Sequence, residues 1–217
     1  PFCARRCDYC AFATWTDRHH LQDSYLAALR TDIERNVQQP AATIFVGGGT
    51  PTLVDPAGLA AVIGAIPRVD GAEVTVECNP DDVTDDLLAH YAAAGVNRIS
   101  LGVQSMVPEV LAALGRWHSP DNVVRAAEAI RRSSIATWNV DLIYGGAGET
   151  VAQARQHAPA PERADDVRNR HGGHPQAEAC LAVAQHLDEH KGRGCQESEQ
   201  PAIGGRGEAG LCQKAGV

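Results

Sequence analysis

Short apolar runs rich in β-branched residues alternate, over the first 150 residues, with longer stretches whose apolar positions recur every three or four residues. The runs ATIFVGG, AEVTVECNP, NRISLGVQS and TWNVDLIYG each end in Gly, Pro or polar residues and predict strands. In LQDSYLAALRTDIERNVQ, Leu21, Tyr25, Leu29 and Ile33 lie four apart and predict a helix with those residues on one face. DPAGLAAVIGAI supplies Asp55 as a cap and Pro56 at the first helical position. TDDLLAHYAAAG supplies Thr84 as a cap and Gly95 as a stop. SPDNVVRAAEAIRR again opens on a cap followed by Pro, and its two closing arginines suit a helix C-terminus. Strands separated by helices of this length predict right-handed βαβ units and a parallel sheet. Four such strands make part of a barrel or an open α/β sheet, and are too few to close one.

The pattern fades after residue 150. All ten aromatic residues fall before it, and the rest of the chain is rich in Gly, Ala, Arg, His, Gln and Glu. We divide the chain into 1–150, a folded core, and 151–217, a tail expected to be weakly ordered because little apolar surface is there to offset chain entropy. One amphipathic patch in the tail, AEACLAVAQHLDEH, predicts a short helix. The net charge of −8 argues against a nucleic-acid partner held by bulk electrostatics. There is no apolar run of membrane-spanning length and no signal-peptide pattern, so we expect a cytoplasmic protein. The first residue is Pro1 and the only methionine is Met106, which leads us to expect a core incomplete at its start.

In parallel α/β folds, ligands sit at the C-terminal ends of the strands. The first strand ends in GGGTP, the second in Glu77, Cys78, Asn79 and Pro80, the third in Gln104 and Ser105, and the fourth carries Asp141. Any one of these could be an ordinary polar strand end; four together point to a site. Seven cysteines without a secretory context disfavour a disulfide scaffold. Cys3, Cys7 and Cys10 lie within one short loop with no second pair nearby to complete a tetrahedral zinc site. Three thiolates suit a [4Fe–4S] cluster with one iron free of protein ligand. Cys78 reads as structural, and Cys180, Cys195 and Cys212 are too widely spaced to suggest a site.

CARRCDYC matches the CxxxCxxC signature of the radical S-adenosylmethionine (radical SAM) enzymes. FVGGGTPT, ECNPDDVT, RISLGVQSM, LGRWH and NVDLIYG resemble the branch that holds oxygen-independent coproporphyrinogen III oxidase and its heme-chaperone relatives. The resemblance covers residues 1 to about 150. It implies a partial TIM-like (β/α)6 radical SAM barrel with parallel strands, incomplete at both ends. It also implies a [4Fe–4S] cluster on Cys3, Cys7 and Cys10 whose open iron takes S-adenosyl-L-methionine.

By the same resemblance, Tyr9 lies by the adenine, and Gly48, Gly49 and Thr50 form the segment that approaches the methionine part. Glu77, Gln104 and Asp141 supply polar contacts, and Arg116 faces the methionine carboxylate. Cys10 is followed by Ala11 and Phe12, where the oxidase has a further cysteine two residues on, so the heme-chaperone branch fits better. That implies heme or porphyrin as ligand, an electron donor such as flavodoxin or ferredoxin, and a respiratory heme-protein acceptor. The alternatives are coproporphyrinogen decarboxylation and an inactive fragment. YGGAGET resembles the branch's usual YGLPGQT, but the residues after it do not continue the pattern.

Overall fold

Successive residues of the strand Arg98–Gln104 belong to two different environments. Ile99, Leu101 and Val103 are buried against helices; on the other face Arg98, Gly102 and Gln104 lie half-buried, and Ser100 is buried among the polar side chains of Asn139 and Asp141. This alternation, uncommon for a parallel strand covered on both faces, sets the architecture seen in the computed structural model. The structure describes residues 1–146 and 148–156. Four strands, β1 (Ala41–Val46), β2 (Arg68–Cys78), β3 (Arg98–Gln104) and β4 (Thr137–Leu142), pair in parallel in sequence order. The expected parallel α/β sheet is therefore present, as an open sheet.

Helices α1 (Gln22–Asn36), α2 (Pro56–Gly64), α3 (Asp85–Ala93) and α5 (Pro120–Arg132) accompany the sheet. The core joins Val74, Val76, Ile99 and Leu101 of the sheet to Leu59, Val62 and Ile63 of α2, Leu87, Leu88 and Tyr91 of α3, and Val123, Ala126 and Ile130 of α5. Each of the larger of these side chains contributes about 1.5–3 kcal/mol by leaving water.

Three helix starts follow the predicted caps. The Asp55 carboxylate accepts from the Gly58 N–H at 2.6 Å, the Thr84 hydroxyl from Leu87 N–H at 3.1 Å, and the Ser119 hydroxyl from Asn122 N–H at 3.2 Å. Gly95 follows α3 at φ +88°, the left-handed turn that stops a helix.

The buried face of α1 differs from the predicted one. Leu26 is buried and Leu29 and Ile33 pack on the core, while Leu21 and Tyr25 are exposed. A spacing of strictly four residues drifts around a helix of 3.6 residues per turn, so the core follows Leu26, Leu29 and Ile33 instead. A short helix, α4 (Pro108–Ala113), was not anticipated. Six residues are too few to show a period. It buries Val110 and Leu111 and builds, with Val107, Leu114 and Ile143, a small second cluster.

α6 (Val151–Gln156) falls at the start of the stretch expected to be weakly ordered. The rest of that stretch, including the helix expected at AEACLAVAQHLDEH and Cys180, Cys195 and Cys212, lies outside the described residues.

Candidate functional site

The thiol loop is tied to the sheet before its cysteines are reached. Trp15 N–H donates to Pro1 O at 2.8 Å and Cys3 N–H to Trp15 O at 3.1 Å, closing the loop at its neck. Thr50 N–H donates to Phe2 O at 2.7 Å, joining that neck to the segment that follows β1. The Phe2 ring is buried in the main core, with the Tyr25 ring edge-on at 5.5 Å between centroids, flanking it from the exposed side.

The three glycines after β1 serve three different purposes. A Cβ on Gly49 would come within 2.5 Å of Phe2 O, so the close approach made there is by the chain's own backbone. A Cβ on Gly47 would meet the Glu77 carboxylate at 2.8 Å. Gly48 adopts φ +118°, has open space before its α-carbon, and donates its N–H to Glu77 Oε2 at 3.1 Å. Gly48 is thus the one of the three with open space before its α-carbon.

A second segment grips the loop from the other side. Gly115, at φ +66°, lets Asp8 approach so closely that a Cβ would lie 3.1 Å from its backbone nitrogen and carboxylate. The Arg5 guanidinium lies 4.2 Å over the Trp117 ring, a cation–π contact. Between these, Arg116 donates from Nη2 to Asn79 Oδ1 (3.1 Å) and Gly102 O (3.0 Å), and its Nη1 points at Cys7 Sγ from 3.7 Å. On the opposite flank the Thr50 hydroxyl points at Cys3 Sγ from 3.5 Å.

Cys3, Cys7, Cys10 and Cys78 are free thiols. Among the described residues, no three His, Cys, Asp or Glu side chains converge tightly enough for a single metal ion. A cubane cluster takes one thiolate on each of three irons, a donor set that matches in number the three free thiols of this loop. Cys78 is buried, and burial first, then the nearby Asp82 and Glu77 charges, push its thiol well above the usual range. It is a structural, unreactive residue. Tyr9, beside Cys7 and Cys10, has its phenol pushed up to about 12 by burial, partly offset by Arg116. It stays a protonated, hydrogen-bonding group.

Gln104 and Asp141 lie on the face that the helices leave uncovered. Asp141 accepts from Ser100 Oγ at 2.9 Å and Asn139 Nδ2 at 3.1 Å. Gln104 sits at φ +64°, where the β3–β4 pairing is irregular, and its carbonyl accepts from Ile143 N–H at 2.9 Å. Gly102 leaves space for the Gln104 and Arg116 side chains, which would lie 3.1 and 3.8 Å from a Cβ there.

Thr50 contacts Cys3 and Arg116 contacts Cys7, with Tyr9 beside Cys7 and Cys10, and Gly48 bonded to Glu77. Asp141 belongs to a separate Ser100–Asn139 cluster further along the uncovered face. Ser105, expected at a strand end, is fully buried and its hydroxyl accepts from Val107 N–H at 2.9 Å, a turn leading into α4. Asp8, Gly115 and Trp117 were missed as loop contacts. Trp117, a large aromatic with 68% of its surface exposed, was the one signal available for them.

The site is a parallel βα sheet with three free thiols on a loop held beside its strand ends. The chain belongs to the radical SAM superfamily, whose family model matches residues 1–158. Membership implies a [4Fe–4S] cluster and S-adenosylmethionine.

The chain is 34% identical over 163 residues to heme chaperone HemW of Escherichia coli (strain K12), covering 71% of this chain and 43% of that one. It is 38% identical over 161 residues to heme chaperone HemW of Mycobacterium tuberculosis (strain ATCC 25618 / H37Rv), covering 69% and 41%. Among solved structures, coproporphyrinogen III oxidase (HemN) from Escherichia coli, a radical SAM enzyme, superposes with a TM-score of 0.67 at 27% identity, over 76% of this chain and 40% of that one. The chain thus spans about two fifths of the length of these relatives.

Proposed function

We propose that Cys3, Cys7 and Cys10 hold a [4Fe–4S] cluster, and that residues 1–150 form the part of a heme-chaperone-type protein that binds S-adenosylmethionine. The observation that carries the cofactor assignment is the double grip on the loop, with Thr50 at Cys3 and Arg116 at Cys7. When bound, the cluster supplies the electron that splits S-adenosylmethionine into methionine and a 5′-deoxyadenosyl radical.

The chain's own residues bind and orient. Arg116, whose planar fork matches a carboxylate, faces the methionine end. Gly48 and Thr50 leave a passage for the backbone of that ligand, with Gly49 packed behind them on Phe2. Glu77 accepts from its ammonium or ribose hydroxyls. Tyr9 lies against the adenine, and Gln104 and Asp141 offer polar contacts on the uncovered face.

Similarity to heme chaperones in two bacteria, and Ala11–Phe12 after Cys10, support heme handling as the first reading; with it we propose a respiratory heme protein as acceptor, a flavodoxin- or ferredoxin-like donor, and the cytoplasm as its place. The structural likeness to the oxidase supports porphyrinogen decarboxylation as the second reading. Among the described residues, no helix is long and apolar enough to cross a membrane.

Anaerobic reconstitution with iron and sulfide should give a brown protein with about four irons per chain. Replacing Cys3, Cys7 and Cys10 together with Ala should remove the colour; iron and colour that persist would sink the cluster assignment. Incubation with coproporphyrinogen III or with heme then separates the two readings. Heme capture without turnover supports the chaperone, and vinyl product supports the oxidase.

A further inference from the structure

Asn79 stands where the two grips on the thiol loop meet. Its Oδ1 accepts from Arg116 Nη2 at 3.1 Å, and its Nδ2 faces Asp82 Oδ2 at 3.5 Å. The Thr52 hydroxyl donates to the same Asp82 oxygen at 2.7 Å and accepts from the Asn79 backbone N–H at 3.4 Å. Asn79, Thr52 and Asp82 therefore close a ring of hydrogen bonds, with Thr52 buried.

The ring has one polarity. A guanidinium only donates and a carboxylate only accepts, so the Asn79 amide must turn its oxygen to Arg116 and its nitrogen to Asp82. The two turns that carry the ring are short and start on prolines, Pro51–Leu53 and Pro80–Asp82. Thr50, which faces Cys3, is the residue just before the first of them.

We propose that Asn79, oriented by Asp82 and Thr52, is a positioning residue that aims Arg116 at the thiol loop and keeps the Cys7 grip in register with the Cys3 grip. It acts through Arg116, and its polar contacts are with Arg116, Asp82 and Thr52 rather than with a thiol. The inference deepens the proposed cofactor site and rests on Arg116 belonging to it. Gly102 O, the other acceptor of Arg116 Nη2, is backbone and cannot be adjusted by a side chain, which leaves Asn79 as the side chain that sets the direction of the fork.

The test uses the full chain free of metal, so that it reads the loop and not the cofactor. Tryptic cleavage after Arg5 and Arg6, followed by mass spectrometry, reports opening of the loop, and circular dichroism melting reports the sheet. Arg116→Ala and Asn79→Ala should each speed that cleavage roughly three- to tenfold, the scale for losing one hydrogen bond to a charged group in a local opening equilibrium, at an unchanged melt. Asn79→Asp keeps an acceptor toward Arg116 and loses only the donor toward Asp82, so its cleavage should be slower than that of Asn79→Ala.

An Asn79→Ala loop as protected as the wild type, or an Asn79→Asp loop as open as Asn79→Ala, would overturn the proposal. Should Asn79→Ala lower the melt, the isosteric Thr52→Val takes its place, with faster cleavage expected and unchanged cleavage counting against the ring. Iron content after reconstitution is measured in parallel. If the variants open the loop as expected while the wild-type chain takes up no iron, the positioning role stands and the cluster reading falls.

Discussion

The Arg116 guanidinium stands 3.7 Å from the Cys7 sulfur although 109 positions separate the two residues in the chain. That contact joins the LGRWH segment after α4 to the CxxxCxxC loop, and it places a fixed positive charge beside the thiols. Arg116→Ala should weaken S-adenosylmethionine binding by roughly 2–3 kcal/mol, the scale for one charge-assisted contact, with iron content near that of the wild type. Calorimetry on reconstituted protein decides it, and unchanged affinity with an intact cluster would take Arg116 out of the site. Arg116→Lys should recover little, because an ammonium cannot span Cys7, Asn79 and Gly102 as a planar fork does.

Gly49 and Gly48 should fail for different reasons when changed to Ala. At Gly49 the new methyl would sit 2.5 Å from Phe2 O, so the neck of the thiol loop must move. We expect a loss of roughly 1–3 kcal/mol, the usual range for overpacking, together with reduced iron uptake. At Gly48 the methyl meets open space, but φ +118° strains any L side chain. That variant should keep the loop protected from trypsin while weakening ligand binding. Equal loop opening in both variants would show that the two glycines do one job.

How much of this could be read from the sequence depended on whether the signal was local. The caps at Asp55, Thr84 and Ser119 and the stop at Gly95 were legible because each is a contact across three or four residues, written in the side chain itself. The three thiols were legible because their spacing is local too. The buried face of α1 was legible only in part, because positions strictly four apart drift off one face of a 3.6-residue helix and Leu26 takes the place of Tyr25. Asn79 was visible as a strand-end residue, but its link to Arg116 spans 37 positions and leaves no periodicity. Gly115 and Trp117 were quoted as part of a motif, whereas their contacts with Asp8 and Arg5 exist only once the loop folds back on them.

His118 makes stability depend on pH in a definite direction. Its imidazole is buried, Nε2–H donates to Val103 O at 2.8 Å, and Nδ1 has no partner among the described residues. Burial first, and the Arg116 charge second, hold its pKa below the ordinary 6.5. In the unfolded chain the imidazole takes up a proton near pH 6.5, while in the folded chain it resists until lower pH. Between those values the unfolded state binds more protons, so the stability present above pH 6.5 is lost as pH falls through that window. Urea midpoints at pH 7.5 and 5.5 should differ, and His118→Gln, which can still donate to Val103, should reduce the difference. An unchanged difference in the variant would assign the pH dependence to other groups.

Tyr91 carries a hydroxyl that the fold does not use. The ring is fully buried in the core between α3 and the sheet, and its oxygen has no hydrogen-bond partner among the described residues. Burial, with Cys78 and Asp82 nearby, pushes its pKa far up, so the group stays neutral and contributes no charge interaction of its own. A buried polar group without a partner costs about 1–3 kcal/mol of desolvation. Tyr91→Phe removes the oxygen and keeps the ring, so it should raise the unfolding free energy by roughly 1–2 kcal/mol, read as a higher urea midpoint at unchanged slope. Tyr91→Leu removes the same oxygen but also part of the ring's volume, and should lower the midpoint through the cavity it leaves. A Tyr91→Phe protein less stable than the wild type would mean that the hydroxyl has a partner in solution, and Cys78 and Asp82 are the residues at which to look for it.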